Sequence, residues 1–516
     1  MLRRLDRSEI ENYAQRSWLT LTQNELDEFE ILINELLNVV DRFDRTQEAI
    51  DEPIEATRRS GHRPTAPEDP FNAIVRFCSV KATGSGLLSG KRVGIKDSMA
   101  IAGVQMTCGS RLLEGYYPRS DAVLVERLLR QGAEIVAVLN MDAFAFSGGG
   151  ETSDYGATLN PIDTERTAGG SSGGSAAALH YDGVDITFGT DQGGSIRLPA
   201  SWCGVIGLKP SFGLIPYCGI ASLDQTFDHV GPLARRVADV ALALEAVAGP
   251  DKRDPRQAGV DEANATGFVR AVEEAPAKLN GVKIGVVKEG MGDEVGVEQP
   301  TRDATLEVVS KMENLGASVR EISIPEHLST GIGLGFALFL EGQMASLRGF
   351  GNGHHWSGRY APDFAMALGK GLKTSADDLP APIKLALILG GHLNERYYGT
   401  LYAKAQNLRP ALKSAYDRAL EGVDVLLMPT GTVRAHKYKP EASIHERVLR
   451  GWNMLGNTTP FNMTGHPSLS VPAGVSEGLP VGVMLTSRMF TDARLLSIAR
   501  TYEREYGWFP AVPDSA

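Results

Sequence analysis

Two serine clusters set in glycine-rich loops, and one lysine at the end of an apolar run, carry the chemistry available to this chain. Residues 167–175 read Thr167-Ala168-Gly169-Gly170-Ser171-Ser172-Gly173-Gly174-Ser175, and residues 189–200 read Gly189-Thr190-Asp191-Gln192-Gly193-Gly194-Ser195-Ile196-Arg197-Leu198-Pro199-Ala200. Glycine at this density lets backbone come close to a ligand and leaves N–H groups free to face an anion. A serine hydroxyl held beside such donors suits acyl transfer, in which a carbonyl oxygen under attack becomes an oxyanion. Ser195 follows the β-rich run Val184–Phe188, so it falls on a tight loop at the carboxyl end of a strand, and the N–H groups from Gln192 to Ser195 can converge on that oxyanion. A base is needed too. Lys96, in Val93-Gly94-Ile95-Lys96-Asp97, follows small and apolar residues, and desolvation there draws a lysine pKa from about 10.4 towards neutrality.

Other readings of the serines compete. Gly169-Gly170-Ser171-Ser172-Gly173 fits G-x-S-x-G, and so does the frame centred on Ser172. That motif requires a preceding strand, whereas Asn160 to Arg166 is polar and broken by Pro161. Histidines are scattered along the chain, so none stands out as the partner in a Ser-His-Asp arrangement. A phosphate cradle is disfavoured because neither G-x-x-x-x-G-K-[ST] nor G-x-G-x-x-G occurs.

The elements that position these residues follow from periodicity and turn chemistry. Residues 7 to about 50 read as helix, with Ser8 and Thr22 as caps and Leu26, Phe29, Leu36 and Phe43 on an apolar face. The proline-rich run His62–Pro70 then reads as a linker, giving an N-terminal helical region over 1–67 and a catalytic domain over 68–516. From 71 onward, strands alternate with helices: a strand at Arg92–Lys96, a helix capped by Ser120, and further strands near 133–139, 282–287, 318–322, 423–428 and 481–486. This rhythm predicts an α/β fold with a large, mixed, mostly parallel sheet covered by helices on both faces. Residues 326–400 break the rhythm and read as a helix-rich insertion near the pocket. The chain has 516 residues, a net charge of −11 and four cysteines without C-x-x-C spacing. The acidity argues against nucleic acid as a partner, and the cysteine spacing argues against zinc or a disulfide framework. No apolar run reaches the roughly 20 residues needed to span a bilayer, so a cytoplasmic protein without a membrane partner is expected. The amphipathic N-terminal helix suggests a homodimer.

Taken together, the two glycine–serine stretches, Cys203-Gly204-Val205-Ile206-Gly207-Leu208-Lys209-Pro210-Ser211, the Val93–Asp97 segment and Asn457–Gly474 resemble the amidase signature family over about residues 70 to 510. The N-terminal extension and Gln192 are similar to the broad-range nitrile-pathway amidases of that family. The resemblance implies a Ser–cisSer–Lys triad with Ser195 as nucleophile, Ser171 as bridging serine, Lys96 as base and a cis Gly170–Ser171 peptide. Ser171 is preferred to Ser172 because the family separates the two serines by 24 positions, as 171 and 195 are. Gln192, Gly193 and Gly194 then form the oxyanion hole, while Phe146, Gly148, Gly149, Gln192 and Trp452 are expected at the substrate. Asp191 is expected to orient the loop, and Arg197 to pair with a buried carboxylate. The implied reaction is hydrolysis of a small-molecule amide to acid plus ammonia or amine through an acyl-serine, with no cofactor and no metal. The alternatives are ester, anilide or carbamate hydrolysis in the same site, and a glutaminase-type component of a transamidation complex. An inactive binding relative is opposed by the presence of Lys96, Ser171 and Ser195 together.

Overall fold

The structure, a computed structural model, describes residues 2–46, 52–82 and 84–508. It divides into two compact units, Met1–Glu52 and Pro53–Ala516.

The smaller unit holds two helices, α1 (Arg7–Arg16) and α2 (Gln23–Asp44), where the periodicity suggested one. The interruption has a local cause. Thr22 and Glu25 form a capping box, as do Asp6 and Glu9, so Thr22 starts a second helix within the apparent run. Asp6 therefore caps α1 in place of Ser8, and Trp18 adopts a φ of 59° in the turn between the helices. An Arg4–Asp41 ion pair at 2.6 Å and an Arg7–Asp27 pair tie the segments together. The expected end of the helix near residue 50 lies outside the described residues.

The larger unit is built on one twelve-stranded sheet. Its strands are β1 (Ala56–His62), β2 (Ile74–Ala82), β3 (Arg92–Lys96), β4 (Glu134–Leu139), β5 (Ile186–Asp191), β6 (Ile206–Lys209), β7 (His229–Ala234), β8 (Lys283–Val287), β9 (Ser318–Ile322), β10 (Val425–Pro429), β11 (Ser468–Ser476) and β12 (Leu479–Thr486). The spatial order is β1-β2-β4-β3-β5-β7-β6-β11-β12-β10-β8-β9. β1 pairs with β2 in this unit, so residues 56–62 belong with the sheet and not with the N-terminal helices, and the unit boundary falls before the proline-rich run. The sheet is mixed, as expected, but parallel pairing is confined to β4-β3-β5 and β10-β8-β9. The other pairings are antiparallel, among them the β11–β12 hairpin and the β5–β7 and β6–β7 pairs. Helices cover the sheet, among them Arg197–Cys203 against β6, β11 and β12, and Asp492–Tyr506 against β11. The helix expected from Ser120 begins at Val123, with Ala122 at its N-cap. Residues 326–400 are helix-rich, led by the helix Ile332–Arg348. Among the described residues no helix is long and apolar enough to cross a membrane.

Two features of this fold place the site. First, β3 and β5 run parallel with Ile95 opposite Phe188, so both strands end together and the Lys96 amine reaches the Thr190 hydroxyl at their carboxyl ends. Second, a buried ionic knot fixes the turn out of β5. Arg197 donates from Nε to Asp191 Oδ2 at 2.9 Å and from its terminal nitrogen to Oδ1 at 2.8 Å, with both side chains fully buried. Asn462 joins through bonds to the Asp191 carbonyl and carboxylate and by accepting from Arg197. Burial pushes the Asp191 pKa up, but the Arg197 charge and these hydrogen bonds outweigh it and hold the carboxyl below its usual range. A buried pair of this kind is costly to break, because the surviving charge is left without a partner. Arg197→Met should therefore lower the unfolding free energy by about 3–5 kcal/mol, read as a shift of the urea midpoint. A shift within the noise of the measurement would show that the knot does not hold the turn.

Candidate active site

Lys96 is fully buried at the end of β3. Its Nζ lies 2.8 Å from Ser171 Oγ, 2.9 Å from Ser172 Oγ and 2.8 Å from Thr190 Oγ1. Burial pushes its pKa down to about 7, against the opposing pull of the Asp142 and Asp191 charges. An ammonium would donate to all three hydroxyls. A neutral amine has two protons and one lone pair, so it donates to two of them and accepts from the third. Ser172 suits the acceptor role because its own proton goes to Thr190 O at 3.1 Å.

The serine loop is held against the strand ends through its backbone. The Gly170–Ser171 peptide bond is cis, the geometry that the resemblance implied. Gly170 N–H donates to Gly148 O at 2.7 Å, Asp142 N–H donates to Ser171 O at 3.1 Å, and Ser172 N–H donates to Ser195 O at 3.2 Å. These bonds bring the 171 and 195 loops together. No side chain is tolerated at 170, because a Cβ there would lie 1.9 Å from Asp142 Oδ2. Asp142 itself accepts from Gly150 N–H, Thr152 N–H and the Thr152 hydroxyl.

The loop from Gln192 to Ser195 is gripped from the C-terminal part of the chain. The hydroxyls of Thr458 and Thr459 both donate to Gly193 O. Across a trans peptide, C=O and N–H point in opposite directions, so this grip turns the Gly194 N–H away from those threonines. Gly194 has a φ of +143°, and a Cβ there would meet Thr458 Oγ1 at 2.4 Å, so only glycine fits.

A cavity opens at Ser195. Ala145, Phe146, Ser147, Gly148, Gln192, Gly193, Leu223, Phe339, Trp452 and Leu455 line it together with Ser195. Of the residues expected at the substrate, Phe146, Gly148, Gln192 and Trp452 line this cavity, with Phe146 edge-on to Trp452 at 5.9 Å between ring centres. Gly149 and Gly194 do not line the cavity; the Gly149 N–H is taken by Ser147 Oγ. Thr190 and Ser172 as partners of Lys96, and Phe339, Leu223 and Leu455 as cavity wall, were not singled out from the sequence. Thr190 lay within the quoted motif, and the one clue to its role was its place next to Asp191 at a strand end. Nothing local marks residue 339, which reaches the site from the helix Ile332–Arg348.

Lys209 is a second buried lysine, with its pKa pushed well down by burial. It donates to the carbonyls of His466 at 2.6 Å and Pro210 at 3.3 Å. Carbonyl partners have no proton to give, so this amine is structural.

Comparison with known proteins bears on this geometry. A model of the amidase family matches residues 79–496. A component of the glutamyl-tRNA(Gln) amidotransferase of Methanosarcina mazei is 36% identical over 429 residues, covering 83% of this chain and 87% of the relative. The solved structure of the component of the same name from Thermotoga maritima aligns with a TM-score of 0.69 and 29% identity, over 87% of this chain and 92% of that one. The peptide amidase of Stenotrophomonas maltophilia aligns with a TM-score of 0.66 and 25% identity, over 87% and 92%.

The Lys96 environment sets a pH expectation. If the neutral amine is the active form, kcat/KM rises with pH as the ammonium loses its proton, with a midpoint near 7, and then levels off. A pH profile that is flat across roughly pH 5.5 to 9 would exclude Lys96 as the titrating base.

Proposed function

The chain belongs to the amidase family, and on that premise we propose that it hydrolyses carboxylic amides with an apolar acyl group through an acyl-serine formed on Ser195. The observation that carries this reading is the buried Lys96 amine, 2.8 Å from the hydroxyl of Ser171, in a loop tied by backbone to Ser195. Neutral Lys96 takes the Ser171 proton as Ser171 takes that of Ser195, and the freed Ser195 oxygen attacks the amide carbonyl. The oxyanion is met by backbone N–H groups of the 192–195 loop. The relay then reverses: the proton passes through Ser171 to the amide nitrogen, the C–N bond breaks, and ammonia or amine leaves. Water attacks the acyl-serine by the same steps, releasing the acid and restoring all three side chains.

The apolar acyl preference rests on the cavity wall, in which Phe146, Leu223, Phe339, Trp452 and Leu455 supply the large apolar side chains, Ser147, Gln192 and Ser195 the polar ones, and no residue is charged. A second reading is favoured by the relatives named as components of glutamyl-tRNA(Gln) amidotransferase: a glutaminase-type protein feeding ammonia to a transamidation complex. A glutamine substrate carries an ammonium and a carboxylate beside its amide, and burying both calls for charged partners. The uncharged wall supports the first reading over the second.

Purified chain with no added partner should be labelled on Ser195 by a fluorophosphonate and should release ammonia from benzamide faster than from glutamine. Absence of both label and turnover would sink the acyl-serine proposal, and a preference for glutamine would establish the second reading. Lys96→Ala should lower kcat by about 10²–10⁴-fold with its circular dichroism spectrum unchanged; full activity in that variant would remove Lys96 from the relay.

A further inference from the structure

Gln192 has a second, unused polar end. The residue is 2% exposed and lines the cavity beside Ser195. Its Nε2 donates to the Tyr217 hydroxyl at 3.0 Å, and that hydroxyl donates onward to Ala221 O at 3.4 Å. Burial pushes the Tyr217 phenol well up, so it keeps its proton and presents its oxygen to Gln192 as an acceptor. With the phenol proton directed to Ala221 O, Nε2 is the end of the carboxamide that bonds Tyr217 and Oε1 is the other end. Oε1 is buried and has no hydrogen-bond partner among the described residues. A buried acceptor without a donor is unfavourable, and one in a reaction cavity is satisfied when a bound molecule supplies an N–H. None of the other residues lining the cavity offers a side-chain amide.

We propose that Oε1 of Gln192 accepts an N–H from the carboxamide of the substrate, and that this bond makes the site selective for amides bearing an N–H over the corresponding esters. The proposal rests on the acyl-serine reading and adds to it a substrate class. An amide R–CO–NH2 has donors at the leaving nitrogen, one of which meets Oε1. An ester R–CO–OR′ has only lone pairs at the leaving oxygen, which would face the lone pairs of Oε1. Both substrates yield the same acyl-serine, one with ammonia and the other with an alcohol, so selection acts before the acyl-enzyme forms and is read in kcat/KM. This role belongs to the side chain, separate from any part the backbone N–H of residue 192 takes at the oxyanion.

The test compares benzamide with methyl benzoate, which share the benzoyl group. In Gln192→Leu the benzamide to methyl benzoate ratio of kcat/KM should fall roughly tenfold or more, the size expected when one buried hydrogen bond is lost. Gln192→Glu, which keeps an acceptor oxygen and lets Tyr217 turn its hydroxyl towards it, should hold the ratio within about threefold of wild type, as a bond-for-bond replacement would. A substrate-side measurement needs no variant: wild type should turn over N-methylbenzamide better than N,N-dimethylbenzamide by roughly tenfold, since the latter has no N–H. A ratio unmoved in Gln192→Leu, or equal rates on the two methylated amides, would overturn the proposal. Fluorophosphonate labelling of wild type keeps the two claims apart. Labelled Ser195 with an unmoved ratio refutes only the role of Gln192, whereas an unlabelled, inactive wild type refutes the acyl-serine reading beneath it.

Discussion

Removal of one amine from water is the constraint on which the rest of the site depends. In solvent the Lys96 ammonium would be well hydrated; at the end of β3 it meets three hydroxyls and no water-exposed surface. Burial disfavours the charged form, and the carboxylates of Asp142 and Asp191 offset only part of that effect, leaving a pKa of about 7. Burial by itself does not make a base, as Lys209 shows. That amine is equally buried, but its partners are carbonyl oxygens with no proton to transfer. What distinguishes Lys96 is that its neighbours are hydroxyls, which can exchange a proton with the amine.

The same arrangement explains why so much polar structure is buried nearby. The site forms where the carboxyl ends of β3 and β5 meet a loop after β4 and a helix far along the chain. Asp191, Arg197 and Asn462 share one hydrogen-bonded knot, and Thr458 and Thr459 hold the Gly193 carbonyl. Those contacts join residues on either side of the long helical segment, so the 191–195 turn is held in place by residues from the C-terminal part of the chain. The glycines at 170 and 194 are the cost of that closeness, since each sits where a side chain would occupy space already taken by Asp142 or Thr458.

The cavity wall carries a different kind of information from the relay. On the proposed reading, Lys96, Ser171 and Ser195 supply chemistry open to any acyl donor, whereas Phe146, Phe339 and Trp452 line the cavity beside Ser195 and present apolar surface to an acyl group there. The solved amidotransferase component shares the fold, and fold alone does not choose a substrate. An uncharged wall with one orphan carboxamide oxygen is a property of this chain's own residues.

Much of this was legible from residue order alone. The glycine–serine stretches and the lysine segment carry the family, because backbone approach and acyl transfer demand particular residue types at particular places. Strands such as Arg92–Lys96 and Ser318–Ile322 were also readable, being short runs that each follow a glycine turn, at Gly90 and Gly316. Other features were not. The break between α1 and α2 hid inside a continuous periodicity, and the dominance of antiparallel pairing depends on which strands become neighbours, which local pattern does not encode. By itself the sequence determined the family, the candidate nucleophile and the candidate base. Only the tertiary structure decided that Thr190 and Ser172 complete the Lys96 environment, that Phe339 closes the cavity and that Gln192 holds a vacant acceptor there. The reason is physical: distances between residues remote in the chain are set by strand register and packing, and these exist only once the sheet has formed.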